Sequence, residues 1–279
     1  MSYHVAVDSC TDLNDTLRND PHVNLVSLTL IIDGENIIDD ETFDQASFLD
    51  KCKASAKGPT SACPSPEAYR EAYGDDDLEA YGITLSAELS GSYNSARVGE
   101  DMAKENHPGK QIHVFNSRSA TCGQTLILLK IMECKNAGMA FQEVVDTVEQ
   151  YIGEMTTLFV LESLENLRKN GRLTGLKAAL VSVLNIKPVM SSTPEGYVFQ
   201  LDKARGVKKA LNKMVNHIGD LAIRPEEKIL GITQCNCPER AECVKRAIVE
   251  KYSFKEVIIF EAAGVSSLYA EDGGIVVAF

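Results

Sequence analysis

Short apolar runs that end in polar loops recur through the first half of the chain. Residues 5–7, 81–85 and 111–115 each form such a run, and each leads into a loop rich in serine, threonine or aspartate and then a predicted helix. Alternating strands and helices are typical of a parallel sheet, in which the carboxyl ends of the strands share one edge and usually hold the ligand. We therefore expect the three polar loops to converge.

Other segments of the first half fit the same scheme. Residues 23–32 are rich in branched apolar side chains and predict one strand that ends at an Asp-Gly turn. Residues 123–137 and 141–155 predict two helices, the second with a clean apolar stripe. We place a domain boundary after them, which gives an N-terminal domain of residues 1–155 and a C-terminal domain of residues 156–279.

The second half mixes hairpin and crossover connections. An apolar stripe at helical spacing predicts a helix over residues 174–184, whereas residues 264–274 are polar and predict a long loop. Strands are expected at residues 157–161, 186–190, 197–201, 228–233, 257–260 and 275–279, and helices at residues 163–169, 207–218 and 238–252. The prediction is therefore an α/β fold of two domains, with a mostly parallel N-terminal sheet flanked by helices and a mixed C-terminal sheet with helices.

The net charge of -12 is distributed unevenly along the chain. Residues 1–80 carry 17 acidic and 5 basic side chains, and this excess of negative charge argues against nucleic acid as a partner for that half. Most of the charged side chains of residues 168–209 are basic, and a basic segment in an acidic protein is typical of a docking face. Its basic side chains are Arg168, Lys169, Arg172, Lys177, Lys187, Lys203, Arg205, Lys208 and Lys209.

The cysteines and the apolar runs bear on location and metal binding. Eight cysteines without regular spacing favour reduced thiols, and the cluster of Cys235, Cys237 and Cys243 lacks a nearby fourth ligand for zinc. No apolar run approaches the ~20 residues that cross a bilayer, and the N-terminus lacks the basic and apolar regions of a secretory signal. The sequence therefore predicts a cytoplasmic protein without a membrane span or a metal.

The turn that contains Ser90, Gly91 and Ser92 is the most distinctive polar loop. It stands between a predicted strand and a predicted helix, so its backbone N–H groups could hold an anion, although an ordinary capped helix fits as well. Nucleotide-binding glycine motifs and a G-x-S-x-G nucleophile motif are absent from the sequence, and no histidine lies in the polar loops. This composition suits holding an anion through neutral hydrogen bonds rather than breaking a bond.

Several short motifs stand in order along the whole chain. The most specific reads Leu-Ser-Gly-Ser-Tyr-Asn-Ser-Ala at residues 89–96. The others occupy residues 8–13, 60–66, 167–173, 184–188 and 203–206, and read DSCTDL, TSACPSP, LRKNGRL, LNIKP and KARG. Together they resemble the motifs of the DegV family, the fatty-acid-binding proteins that include the FakB subunits of bacterial fatty acid kinase.

The resemblance implies a protein without catalytic residues or a cofactor. It would hold one long-chain fatty acid between its domains and present the carboxylate to the catalytic subunit of a fatty acid kinase, which forms the acyl phosphate used in phospholipid synthesis. Carried over to this chain, Thr60 and Ser90 bind the carboxylate with Ser61, Gly91 and Ser92 as neighbours, and Arg172 and Arg205 dock the kinase. Tyr269 stands where many members have a histidine near the head group, and Asn116 replaces the usual aspartate before Ser117.

Two alternatives belong to other functional classes. A hydrolase or acyl transferase could use Ser90 as its nucleophile, but the sequence places no histidine near it. A sensor of another small anion would use the same turn with a short, polar cavity instead of a long apolar one.

Overall fold

The computed structural model describes residues 3–76, 78–173 and 185–279. The helix predicted over residues 174–184 therefore lies outside the described residues. In chain order the described elements are β1 (His4–Asp8), α1 (Asp15–Arg18), β2 (Val23–Val26), β3 (Thr29–Ile32), β4 (Glu35–Ile38), α2 (Gln45–Ala54), β5 (Thr60–Ala62), α3 (Pro66–Ala72), β6 (Ala80–Thr84), α4 (Ser92–Asn106), β7 (Ile112–Asn116), α5 (Cys122–Asn136), α6 (Phe141–Glu154), β8 (Thr157–Val160), α7 (Glu165–Lys169), β9 (Ile186–Ser192), β10 (Val198–Arg205), α8 (Val207–Leu221), β11 (Ile229–Gln234), α9 (Pro238–Val249), β12 (Glu256–Glu261), α10 (Gly264–Ala270) and β13 (Ile275–Ala278).

The first sheet is parallel, as the alternation of strands and helices predicts. Its strand order is β2-β1-β6-β7, and every neighbouring pair runs parallel. Strand β1 is buried on both faces, because Val5 and Val7 pack in the core under α5 and α6 while Ala6 packs in the core under α3 and α4. Helices on both faces are what a parallel sheet requires, and they bring the three strand-end loops to one edge.

The single strand predicted over residues 23–32 is wrong. The segment forms β2 and β3, which belong to different sheets. The break lies at Leu28, whose N–H donates to Ser9 Oγ at 3.0 Å and whose carbonyl accepts from the Asp39 N–H at 3.0 Å. Because Leu28 forms its backbone hydrogen bonds with these partners, the chain leaves the first sheet at this residue. Strand β3 then forms a small antiparallel sheet in the order β4-β3-β5.

The second large sheet is mixed, as predicted, with the order β10-β9-β8-β13-β11-β12. Only the pair β11 and β12 runs parallel. One face packs on α8 and α9, whereas Phe159 and Val276 on the other face join the core that contains α5. Helix α5 thus lies between the two large sheets. The proposed boundary after residue 155 separates two sheets that share one core.

Residues 264–274 are not a long polar loop. Residues Gly264–Ala270 form α10, and six of its seven residues are buried. Local spacing indicates no helix here, since Val265 and Leu268 are its only large aliphatic side chains. The first N–H groups of α10 are satisfied by carboxylates from the first half of the chain, a stabilisation that is invisible in the local sequence.

Three carboxyl groups are buried near the junction of the two halves, and two of them, Asp12 and Asp39, bond across it. Asp8 accepts from Gln124 Nε2 at 2.8 Å and from the Leu85 N–H at 2.8 Å. Asp12 accepts from Thr233 Oγ1 at 2.7 Å, and Asp39 accepts from the N–H groups that begin α10. Despite these donors, burial raises the pKa of Asp8 and Asp12 to about 7 and that of Asp39 to about 6.

These carboxyl groups should make the fold less stable at pH 8 than at pH 5. Since an unfolded aspartate titrates near ~3.9, the folded chain binds more protons than the unfolded chain between about pH 4 and pH 7. Stability therefore falls as the pH rises through that window. Thermal unfolding followed by circular dichroism at pH 5 and pH 8 measures this, and the fall should persist in 1 M NaCl, which screens surface ion pairs. A midpoint that stays level or rises would contradict the assignment.

Candidate functional site

A cavity lies between the two large sheets, at the edge where the strand-end loops of the first sheet converge. It holds about 740 Å³ of free space between its lining atoms, including the part open to solvent, and its surface is almost entirely apolar. The lining residues are Cys10, Leu85, Leu89, Arg118, Ser119, Ala120, Thr121, Thr157, Phe159, Leu161, Leu167, Arg172, Ser192, Gly196, Val198, Val265, Ser266, Tyr269, Ala270 and Val276. The expected convergence of the three loops is present, because Cys10, Leu85 and Ala120 follow β1, β6 and β7 respectively.

The other walls come from the second half of the chain. Phe159, Val198 and Val276 reach the cavity from the mixed sheet, and Val265 and Ala270 reach it from α10. Sequence reasoning missed these residues, since alternating apolar positions on a strand indicate burial but not whether the neighbour is a side chain or a ligand. An apolar lining with a few polar groups is typical of small-molecule sites.

Arg172 and Tyr269 give one part of the cavity wall its polar character. Arg172 Nε donates to the Leu89 carbonyl at 3.1 Å, and the guanidinium lies 6.0 Å from the centre of the Tyr269 ring. The Tyr269 hydroxyl lies 3.3 Å from Ser61 Oγ, so this residue reaches the loop that the sequence selected for the head group. Leu89, Arg172 and Tyr269 line the cavity, and Ser61 joins them through its contact with Tyr269; we call these four residues the mouth of the cavity.

The turn before α4 continues directly from Leu89. The Ser92 N–H donates to Ser90 Oγ at 3.2 Å, and the two hydroxyl oxygens lie 3.0 Å apart. Ser92 is buried and Ser90 is half-buried, whereas Gly91 is exposed. A Cβ added at Gly91 would lie 3.2 Å from Cys63 Sγ, so the turn packs closely against the loop that carries residues 60–63. The two loops predicted to share the head group are therefore neighbours.

The residues that the sequence predicts for the head group and for docking lie at different distances from the cavity. Ser61 faces Tyr269, and because side chains alternate along a strand, Thr60 on the same strand faces the other way and is exposed. Arg172, predicted to dock a partner, lines the cavity itself. Arg205 is exposed at the end of β10. Of the residues predicted to bind the carboxylate, Tyr269 lines the cavity, whereas the following do not: Thr60, Ser61, Ser90, Gly91 and Ser92. Arg205 is not among the lining residues either. Asn116 Oδ1 accepts from the Ala87 N–H at 3.1 Å, so it holds the backbone of the loop that leads to Ser90.

The surroundings of Ser90 do not favour nucleophilic catalysis. Four histidines pair elsewhere in the described chain: His4 with Asp76, His22 with Asp20, His113 with Glu149 and His217 with Asp202. Among residues 3–76, 78–173 and 185–279, no group of three or more histidine, cysteine or acidic side chains is placed to hold a metal ion. The arrangement suits binding of an amphiphile, with hydroxyls and a guanidinium at one part of an otherwise apolar cavity.

No helix of the described chain combines the length and the apolar character needed to cross a bilayer.

Comparison with known proteins gives a consistent result. The model of a family described as "Uncharacterised protein, DegV family" matches residues 2–279. A DegV domain-containing protein of Streptococcus pyogenes is 33% identical over 286 residues, which span 100% of this chain and 99% of the relative.

Two solved structures show the same fold. A DegV family protein from Ruminococcus gnavus, refined with vaccenic acid, superposes with a TM-score of 0.97 at 48% identity, over 100% of both chains. The fatty acid kinase B3 protein of Streptococcus pneumoniae, loaded with linoleic acid, superposes with a TM-score of 0.91 at 29% identity, over 100% of this chain and 99% of that chain.

Proposed function

This chain belongs to the DegV family, and we propose on that premise that it binds one long-chain fatty acid in the cavity between its sheets. The observation that carries the proposal is the combination of an almost entirely apolar cavity with a mouth of hydroxyls and one guanidinium. Two relatives of this fold were solved with vaccenic and linoleic acid. The acyl chain would lie among Phe159, Val198 and Val276.

The energetics suit such a ligand. Each buried methylene contributes about 0.8 kcal/mol, so a long acyl chain gains more than ~10 kcal/mol before the costs of association. A carboxylate is costly to remove from water unless donors replace its hydration. Ser90, Ser92, Thr60, Ser61, Tyr269 and the N–H group of Gly91 are the donors that we assign to it.

The same protein would present its ligand to a kinase. A relative is the B3 protein of a fatty acid kinase, which supports a role as the non-catalytic subunit that offers the carboxylate for acyl phosphate formation. Arg205 and the exposed lysines that follow it on α8, Lys208 and Lys209, form a basic surface outside the cavity for that partner. The role is that of a cytoplasmic carrier, not an enzyme.

Titration of delipidated protein with linoleic acid and with octanoic acid tests the lipid-binding claim. Both ligands have the same head group, so the difference between them measures burial of the chain. We expect saturable one-to-one binding of linoleic acid and binding of octanoic acid that is weaker by at least a hundred-fold. Equal affinities would contradict the proposal and favour a sensor of small anions.

Replacement of Ser90 by alanine should weaken linoleic acid binding by about 1 to 3 kcal/mol, because a buried carboxylate oxygen would lose a donor. Thr60→Ala tests whether the exposed Thr60 hydroxyl is a second donor. Ser95→Ala is the matched control, since this hydroxyl lies on α4, contacts Cys63 Sγ at 3.9 Å and is not among the donors assigned to the carboxylate. The comparison of Thr60→Ala with Ser61→Ala shows which face of β5 holds the carboxylate. Unchanged affinity for both Ser90→Ala and Thr60→Ala would remove these residues from the site.

A further inference from the structure

Helix α10 belongs to the second half of the chain but is held by side chains from the first half. Asp39 Oδ1 accepts from the Gly264 N–H at 2.7 Å, and Asp39 Oδ2 accepts from the Val265 N–H at 2.8 Å. Asp12 accepts from the Ala263 N–H at 2.9 Å, and Gln45 Nε2 donates to the Ala262 carbonyl at 2.8 Å. Both oxygens of Asp39 are therefore committed to the start of α10.

The contact between Asp39 and α10 is direct and buried. Asp39 is 2% exposed, and a Cβ added at Gly264 would lie 2.5 Å from Asp39 Oδ1. The carboxylate thus lies against the helix backbone without an intervening side chain. Since both first-turn N–H groups have Asp39 as their acceptor, loss of the carboxylate leaves two buried donors unpaired.

The same helix forms part of the fatty-acid site. Val265, Ser266 and Ala270 line the cavity, and Tyr269 reaches the mouth. Near the other end of α10, Asn166 Nδ2 donates to the Leu268 carbonyl at 2.9 Å. A shift of the start of α10 would therefore move the Tyr269 hydroxyl relative to Ser61.

The small antiparallel sheet connects the two ends of this arrangement. Ile37 on β4 and Ser61 on β5 both pair with Leu30 of β3, and Asp39 follows two residues after Ile37. One sheet thus carries the residue that holds the start of α10 and the residue that contacts Tyr269 near its end. The small sheet therefore contacts α10 at two places. Asp39 bonds the start of the helix, and Ser61 contacts Tyr269 near its end.

We propose that Asp39 is a positioning residue for the fatty-acid site, which holds α10 on the small sheet so that Tyr269 meets Ser61 at the mouth. This rests on the proposed function, because it assigns the role of Asp39 to the same site. Asp39 does not touch the ligand. Its effect on binding passes through the position of Tyr269.

A double-mutant cycle with Asp39→Asn and Tyr269→Phe tests the assignment, with affinity for linoleic acid as the measurement. The asparagine side chain has nearly the same shape but can accept from only one of the two helix N–H groups. We expect Asp39→Asn to weaken binding about ten-fold in the wild-type background and two-fold or less in the Tyr269→Phe background. Asp40→Asn is the matched control, since the Asp40 side chain accepts from the N–H and the hydroxyl of Thr42 and, within the described part of the chain, makes no contact with α10 that resembles those of Asp39. This variant should bind linoleic acid as the wild type does.

Gly264→Ala gives a second route to the same contact if Asp39→Asn does not fold. The added methyl group must displace the Asp39 carboxylate from the helix side, so the same loss and the same dependence on Tyr269 are expected. Equal losses in both backgrounds, or wild-type affinity in a folded variant, would overturn the positioning role while leaving lipid binding intact. Wild-type protein that binds no linoleic acid would overturn the proposed function itself, and the role of Asp39 with it.

Discussion

Replacement of Val198 by tryptophan should lower the affinity for linoleic acid about a hundred-fold and shift the preference toward shorter acids. Val198 lines the cavity on β10, which is an edge strand and can adjust to a larger residue better than a central strand can. If the indole ring excludes three or four methylenes at about 0.8 kcal/mol each, the loss is about 3 kcal/mol. Titration with acids of eight to eighteen carbons measures the change.

Phe199→Trp is the control for this variant. Phe199 is the next residue on β10, and at 36% exposure it faces away from the cavity. The same tryptophan at this position should leave the affinity for every acid unchanged. A parallel loss at both positions, or an unaltered preference for chain length in Val198→Trp, would show that the acyl chain lies elsewhere.

Charge reversal at Arg205 should slow acyl phosphate formation by at least ten-fold while leaving the affinity for fatty acid unchanged. Arg205 is exposed and lies outside the cavity, so the substitution acts on the encounter with the kinase and not on the ligand. The measurement is the rate at which the kinase catalytic subunit phosphorylates bound linoleic acid, alongside a titration of the same variant.

Lys255→Glu is the control for Arg205→Glu. Lys255 is exposed just before β12, at the opposite edge of the same sheet from β10, and the change of charge is identical. It should leave phosphorylation unchanged. Arg172→Glu, by contrast, should reduce lipid binding as well, because Arg172 lines the cavity and bonds Leu89. If Lys255→Glu and Arg205→Glu slow phosphorylation equally, the effect comes from the net charge of the protein, and Arg205 has no specific role in docking.

The elements with local signals could be predicted from the sequence. The run from β6 through the turn at Ser90 into α4 has an apolar strand, a serine-rich turn and helical spacing within a few residues of one another. Strand-helix alternation then fixed the parallel sheet and placed the polar loops at one edge. The apolar lining could not be predicted, because Val198 and Val276 have the alternation of ordinary core residues.

The errors arose where distant residues decide the local structure. Leu28 leaves the first sheet because its partners are Ser9 and Asp39, and α10 forms where Asp39 accepts from N–H groups more than two hundred residues away. A strand break and a helix start stabilised in this way have no signature within their own segments. The small sheet and α10 are linked by Asp39, which follows β4 and accepts from the N–H groups that begin α10.

Native mass spectrometry of the protein as purified from cells tests the central claim most directly. The account predicts a complex that exceeds the polypeptide mass by that of one fatty acid, and the acid released on denaturation should be a long-chain fatty acid. A protein that carries no acyl chain as purified, and that stays at the polypeptide mass after incubation with vaccenic or linoleic acid, would contradict it.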